Sequence, residues 1–244
     1  MIAQIRAELL KIRTTRTTIG LILGMIALIL LFTLLTGLLT HPGGLASTQD
    51  QRQLLSVSSF AGVFSALAGV LLVTSEYRYG TIRPTFLFTP RRGTVLSAKL
   101  SAGALTGLVF GAVAVALAVG IGSLILSARG IPSTLSGGDF LLFVFGGLAA
   151  AALYGAFGVG LGAILRNQVG AVIALLAWDF VLDSLLFGLA PSVGRFMPTT
   201  AADALMGLKT AHLLSPAAGG VVLLAWTVVL ALVGLVLTRR RDVA

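Results

Sequence analysis

Long apolar stretches alternate with short polar segments along this chain. Six of the stretches hold few charges and reach the length of about 20 residues that an α-helix needs to cross a bilayer. They lie at about 18–39, 55–75, 100–127, 140–165, 169–189 and 217–238. The first is too long for the core of a signal peptide, so we interpret it as a retained span. The pattern predicts an all-α integral membrane protein with six transmembrane helices, in a single transmembrane domain over 1–244.

A separate helical pattern precedes the first stretch. Apolar residues recur there at intervals of three and four, at Ile2, Ile5, Leu9 and Ile12, as they do along one face of a helix. The charged residues fall elsewhere on the wheel: Arg6, Glu8, Lys11 and Arg13. The spacing predicts an amphipathic helix over 1–16 that lies along the membrane surface. It serves either as an orientation anchor or as a contact for a partner.

The composition agrees with solvation by lipid. Of the 244 residues 57% are hydrophobic, and the mean hydropathy is +1.04, which leaves too few polar residues to cover a soluble domain of this size. The 30 glycines include Gly107-x-x-x-Gly111 and Gly158-x-x-x-Gly162, which favour close packing of helices in lipid. Cysteine is absent, so disulfides and thiolate metal sites are excluded.

The formal net charge of +9 is unevenly distributed. Thirteen of the 17 basic residues lie before the first stretch, between the second and third, between the fourth and fifth, or after the sixth. They are Arg6, Lys11, Arg13, Arg16, Arg78, Arg83, Arg91, Arg92, Lys99, Arg166, Arg239, Arg240 and Arg241. Because cytoplasmic loops carry an excess of lysine and arginine, both termini and the loop at 76–99 are expected in the cytoplasm. Topology thus accounts for the charge, and nucleic-acid binding loses its main support.

The longest segment assigned to the outer side is 190–216. It mixes apolar residues with Pro191, Pro198 and Pro216, which make it too broken to span. We expect short helices that dip into the outer leaflet as a re-entrant segment, with protein covering their backbone.

Several enzyme motifs are missing from the sequence. It contains no Gly-x-x-x-x-Gly-Lys-Ser/Thr phosphate loop, no His-Glu-x-x-His zinc motif and no Gly-x-Ser-x-Gly nucleophile motif. The first absence excludes ATP binding of the phosphate-loop kind, and the others argue against a metalloprotease or a serine hydrolase. We therefore expect that this chain is not an enzyme.

One acidic pair lies inside an apolar stretch. Asp179 and Asp183 are four residues apart and so share one face of a helix. Such charges cost about 2.5–3.5 kcal/mol each near mid-bilayer, so they face the protein interior or water. Three roles stay open: a catalytic aspartate pair, for which no second helix supplies the facing acid; a polar lining for a substrate or ion path; and hydrogen bonding that serves helix packing.

The loop at 76–99 concentrates charge and aromatic residues. It begins within "TSEYRYGTIRPT", residues 74–85, and continues through Pro90-Arg91-Arg92 to Ala98-Lys99. A plain tether between two helices needs only a few residues. The composition is typical either of a docking surface for a cytosolic protein or of a basic loop held at anionic lipid.

This loop resembles the signature of the ABC-2 type transporter permeases, the six-span subunits of bacterial ABC exporters of the drug- and bacitracin-resistance kind. The resemblance rests on Glu76-x-Arg78-x-Gly80-Thr81-Ile82-Arg83 and on the Pro90-Arg91-Arg92 and Ala98-Lys99 that follow. The order of surface helix, six spans, loop after the second span and long segment before the sixth also resembles the layout of the family.

The resemblance implies an export permease of the bacterial plasma membrane that docks two copies of a separate ATPase. In that family the loop after span two carries a coupling helix that fits a groove of the ATPase. Carried over by position, Glu76 would lie at the junction of span two and this helix, and Arg78 and Arg83 would contact the ATPase or the N-terminal helix. Gly80 would permit a turn or close packing, and Thr81 would bond the backbone locally. ATP and Mg²⁺ would be bound by the ATPase, and no cofactor by this chain.

The resemblance also implies that 190–216 caps the translocation path, and that the chain pairs with a second permease, either a copy or a paralogue. Two other functions stay open. One is a self-contained secondary transporter or channel with Asp179 and Asp183 as a proton or ion site, and the other is an intramembrane hydrolase. A lipophilic drug, a lipid and a peptide antibiotic are all compatible substrates.

Overall fold

A computed structural model describes residues 2–89 and 91–240, apart from the side chains of Pro42 and Phe86. Pro90 of the loop signature and Arg241 of the basic tail lie outside the described residues. The helices are α1 (Ile2–Thr14), α2 (Arg16–Leu39), α3 (Thr48–Arg78), α4 (Ile82–Phe88), α5 (Arg92–Ala128), α6 (Gly137–Leu165), α7 (Gln168–Leu189), α8 (Pro191–Gly194), α9 (Pro198–Leu205) and α10 (Pro216–Arg240).

The described residues are helical and contain no β-strand. Six helices, namely α2, α3, α5, α6, α7 and α10, are long and apolar enough to cross a membrane. This confirms the prediction of an all-α protein with six candidate spans, and the chain is accordingly a multi-pass membrane protein. Two spans are locally irregular: α3 contains a 3₁₀ turn at Ser56–Ser59, and α7 contains a π-turn at Trp178–Leu182.

Two spans begin earlier than their apolar stretches. Helix α3 starts at Thr48, where Ser47 and Asp50 form a capping box that satisfies free backbone N–H groups. Helix α5 starts at Arg92, and its first turns bury Val95 and Leu96 against the bundle. Both helix ends contain polar residues, so a search for apolar runs does not detect them. Capping at the first end and partial burial at the second stabilise these helical turns without a continuous apolar sequence.

Helix α6 lies at the centre of the bundle, packed along α3, α5 and α10. Glycine permits this close approach. A Cβ atom at Gly107 would overlap the carbonyl oxygen of Ala151, and one at Gly158 would overlap that of Ala66. Both predicted small-residue pairs therefore place helix backbones in direct contact, as is typical of helices in lipid.

A buried arginine ties together one end of the bundle. Arg52, near the start of α3, donates from Nη1 to the carbonyl oxygen of Gly207 at 2.7 Å and pairs through Nη2 with Asp139 at the start of α6. Gly207 follows α9 in a left-handed turn with φ of 76°. The segment between α7 and α10 is therefore fixed against α3 and α6 at this end.

Candidate functional site

Four charged side chains meet where α1 crosses α3 and α5. We call Glu8, Lys11, Glu76 and Lys99 the ionic cluster. Lys99 Nζ lies 3.0 Å from each carboxylate oxygen of Glu8 and 2.9 Å from Glu76 Oε1, and it donates to the carbonyl oxygen of Leu72 at 3.2 Å. Lys11 Nζ contacts Glu76 Oε1 and lies 3.4 Å from Glu8 Oε1. The two positive and two negative charges balance.

Burial makes this pairing necessary. Glu8, Glu76 and Lys99 are only 6%, 4% and 2% exposed, and an isolated charge at such a site would be strongly destabilising. Lys11 is about half exposed at its side chain. Burial alone would lower the pKa of Lys11, but the hydrogen bond and charge of Glu76, with the charge of Glu8, raise that pKa above its ordinary value. The ionic cluster fastens α1 to α3 and α5.

The prediction that Glu8 lies among the charges away from the apolar face of α1 is wrong. Glu8 is buried because α1 packs Leu9 and Ile12 against a core of α3 and α5, where Lys99 supplies the opposite charge. The spacing of residues in α1 already indicates that Glu8 lies on the apolar face. Glu8 follows Ile5 by three residues and precedes Ile12 by four, so it lies on the apolar stripe itself. For Lys99 the sequence predicts a cytoplasmic position and a place in the loop signature, but no ion pair.

The loop after α3 forms a turn and a short helix. Helix α3 ends at Arg78, and Gly80 adopts a positive φ of 70° with open space where a Cβ would stand. Gly80 thus permits the turn and takes no part in close packing. Thr81 precedes α4, and its hydroxyl makes no capping bond to this helix. Its carbonyl oxygen accepts from the N–H of Thr85 instead.

Helix α4 presents apolar side chains outward. Leu87 and Phe88 are 82% and 89% exposed, whereas Ile82 at the start of α4 is buried. Just after α4, Thr89 Oγ1 accepts a hydrogen bond from Gln4 Nε2 of α1 at 3.0 Å. Helix α1 therefore holds both ends of the loop: one through the ionic cluster, the other through Gln4.

The two arginines of the signature lie apart from α1. Arg78 donates to Gln168 at the start of α7 at 3.3 Å and lies over the ring of Tyr79. Arg83 is exposed. Of the two contacts expected for these arginines, with the ATPase or with the N-terminal helix, the second is not made within residues 2–89 and 91–240. Glu76 pairs with Lys11 of α1 instead.

A second polar site lies at the opposite end of α3. A cavity of about 190 Å³ is lined by the start of α3, the middle of α6, the π-turn of α7 and helix α9. We call it the acidic cavity, because Asp179 and Asp203 line it beside Ser58, Tyr154 and Thr199. Along α3 it is separated from Glu76 by fourteen residues, counted from Gly62, or about 21 Å of helix.

Asp179 and Asp183 face the interior, as their spacing predicted, with exposures of 4% and 1%. Both are joined through Thr199: its N–H donates to Asp183 Oδ2 at 2.7 Å, and its hydroxyl donates to Asp179 Oδ1 at 3.3 Å. The hydroxyl of Tyr154 lies 3.2 Å from Thr199 Oγ1. The π-turn at Trp178–Leu182 contains Asp179 and ends directly before Asp183. Such turns often occur at functional sites.

Sequence reasoning did not single out Asp203 or Ser58. Asp203 lies in α9, within the proline-broken segment that offered no helical pattern, and Ser58 lies in the 3₁₀ turn of α3. The only available signal was an acid four residues after Thr199 in an otherwise apolar run. Their approach to Asp179 depends on how the segment before α10 folds back on the bundle.

Neither a protein-family model nor a curated protein matches the chain.

The polar side chains that line the acidic cavity carry carboxyl or hydroxyl groups. Among the described residues no group of three histidine, cysteine, aspartate or glutamate side chains is arranged to hold a metal ion. Asp179 and Asp183 also lack a facing acid on another span, which a catalytic pair on facing spans would require, since Asp203 lies in α9.

Proposed function

We propose that this chain is the permease subunit of a bacterial ABC-2 type exporter. The observation that carries the proposal is the loop helix α4: its end exposes Leu87 and Phe88, and α1 holds the loop on both sides. Exposed apolar side chains outside the spans are typical of an interaction site. In this proposal both termini and α4 are cytoplasmic, and α1 lies along the inner membrane surface.

The partner of α4 is a cytosolic ATPase present in two copies, which binds ATP and Mg²⁺. When ATP draws the two ATPases together, α4 moves with them. The buried ionic cluster passes this motion to α3 and α5, because its charges resist separation. Both helices continue across the membrane, so the bundle is biased between inward-open and outward-open states. The chain itself hydrolyses no ATP.

A second permease, a copy or a paralogue, completes the translocation path. The outward faces of α2, α7 and α10 remain largely exposed and apolar, so they contact either lipid or this second subunit. The segment 190–216 is then the re-entrant cap of the path. Nucleic acid has no role in this scheme.

The proposed orientation predicts which side of the membrane each loop faces. Because the chain has no cysteine, a single introduced cysteine can be labelled without background. In intact cells a membrane-impermeant maleimide should label Ser133→Cys, between α5 and α6, and leave Arg83→Cys, on α4, unlabelled. After permeabilisation both should react. Labelling of Arg83→Cys in intact cells would place α4 outside and end the proposal.

Removing the apolar end of α4 should release the ATPase. We expect the double variant Leu87→Asp with Phe88→Asp to lose at least tenfold of the ATP hydrolysis that co-purifies with the tagged chain, since buried apolar anchors dominate interfaces. Photolabelling with azido-ATP should identify the lost polypeptide. Val193 is an exposed apolar residue on α8. The matched control Val193→Asp should retain the ATP hydrolysis that co-purifies with the chain.

A different outcome would favour a second candidate, a secondary transporter. Equal ATP hydrolysis in the wild type and the double variant would remove the role of α4. If vesicles then showed a proton-driven flux without ATP, and Asp179→Asn abolished it, the buried carboxylates would be the coupling site instead.

A further inference from the structure

The acidic cavity contains negative charge that the described residues do not balance. Asp179 and Asp203 line it, and Asp183 is hydrogen-bonded to the N–H of Thr199 on its wall. The five ion pairs of the described residues all use other acids, namely Glu8, Glu76 and Asp139. Uncompensated carboxylates in a membrane bundle are costly unless they are protonated or paired. The site is therefore built to receive a positive charge or protons.

Two buried polar atoms on the wall of the cavity are unpartnered. Asp179 Oδ2 and Ser58 Oγ have no hydrogen-bond partner in the described part of the chain, although their residues are 4% and 3% exposed. Buried polar atoms that lack a hydrogen-bond partner are destabilising. A ligand that enters between α3 and α7 would contact both residues.

The rest of the wall is apolar and aromatic. Phe60, Tyr154 and Phe180 line the cavity among small aliphatic residues, and aromatic rings attract an ammonium group through their π faces. Phe180 is also 55% exposed, so the cavity extends to the outer surface of the bundle. A volume of about 190 Å³ accommodates a small head group, while an apolar tail would remain at that surface.

We propose that the acidic cavity binds the ammonium head of a cationic amphiphile, which is the cargo class of the exporter; this role rests on the proposed function. Asp179 and Asp203 supply the opposite charge, and the aromatic rings surround the head. Binding itself requires neither ATP nor the ATPase, so it is measurable on the chain alone.

The test compares two molecules that differ in charge and little else. Choline carries a trimethylammonium head, and 3,3-dimethylbutan-1-ol is its uncharged isostere. For the purified chain in a maltoside detergent, titration calorimetry should show choline binding at least tenfold tighter than the isostere. The double variant Asp179→Asn with Asp203→Asn should lose this preference. Asp50→Asn, in the capping box of α3 at the same end of the bundle, should retain it.

The single variant Asp203→Asn is the control for misfolding of the double variant. Within the described residues the Asp203 carboxylate has no hydrogen-bond or ion-pair partner, so asparagine leaves the Thr199 network intact. Burial, with the charge of Asp183, raises the pKa of Asp203 to about 7. Asp179 of α7 and Tyr154 of α6 line the same cavity, Asp183 of α7 acts on Asp203 through its charge, and among the described residues no basic side chain lines the cavity. Protonation below pH 7 therefore removes attraction for a cation. Choline affinity should fall from pH 8 to pH 6, and less steeply in Asp203→Asn.

Equal affinity for choline and its isostere, or tenfold preference retained in the double variant, would overturn the proposal. Neither result would affect the docking of α4, and the Leu87→Asp, Phe88→Asp variant should bind choline normally. Measurements in nanodiscs distinguish a lipid head group from a free amphiphile as the source of the ammonium ligand. If phosphatidylcholine discs abolish choline binding and phosphatidylglycerol discs preserve it, a lipid head group occupies the same site.

Discussion

Replacing Lys99 by methionine should destabilise the protein by about 3–5 kcal/mol, because it leaves buried carboxylates without their main partner. Lys99 is the member of the ionic cluster that contacts both Glu8 and Glu76 and is itself buried. Methionine preserves the length and apolar packing of the stem. Unfolding by sodium dodecyl sulfate, followed through Trp178 and Trp226, which pack edge to face with centroids 5.2 Å apart, measures the loss.

Two comparisons separate charge pairing from packing. Lys11→Met should cost no more than about 1 kcal/mol, since Lys11 is about half exposed and solvent screens its contribution. Adding Glu8→Gln to Lys99→Met should recover much of the loss, because a neutral side chain no longer needs a cation. If Lys99→Met and Lys11→Met destabilise equally, the ionic cluster does not fasten α1.

A single methyl group at Gly158 should destabilise the bundle by about 3 kcal/mol. The Cβ of Gly158→Ala would overlap the backbone carbonyl oxygen of Ala66, and backbone, unlike a side chain, cannot turn aside. Helices α3 and α6 must then separate along a contact that lies between the ionic cluster and the acidic cavity. The midpoint of detergent-induced unfolding should fall, and choline binding should weaken with it.

Gly120→Ala provides the control for this substitution. Gly120 lies in α5 with nothing within 4 Å of the position of a Cβ, so alanine there should leave stability unchanged or raise it by up to about 1 kcal/mol through helix propensity. A loss at Gly120 as large as that at Gly158 would show that glycine matters here for reasons other than helix contact.

Hydrophobic patterning predicted the spans well because each needs only its own residues to be apolar over a sufficient length. The glycine pairs at Gly107 and Gly158 were also readable in advance, since small residues at fixed spacing have one main use in lipid. The interior position of Asp179 and Asp183 followed from the same reasoning, because charge within a span must avoid lipid. Membrane orientation stays a prediction from the distribution of arginine and lysine.

The sequence by itself therefore determined the class of protein and its six candidate spans, favoured close helix packing, and placed the aspartate pair on one helix face turned toward the interior or water. These are all local properties of a helix in lipid. Only the tertiary structure decided that Glu8 pairs with Lys99, 91 residues away, and that Asp203 and Ser58 meet Asp179 in one cavity. Charges are compensated by whichever groups folding brings within a few ångströms, and no local pattern encodes that distance.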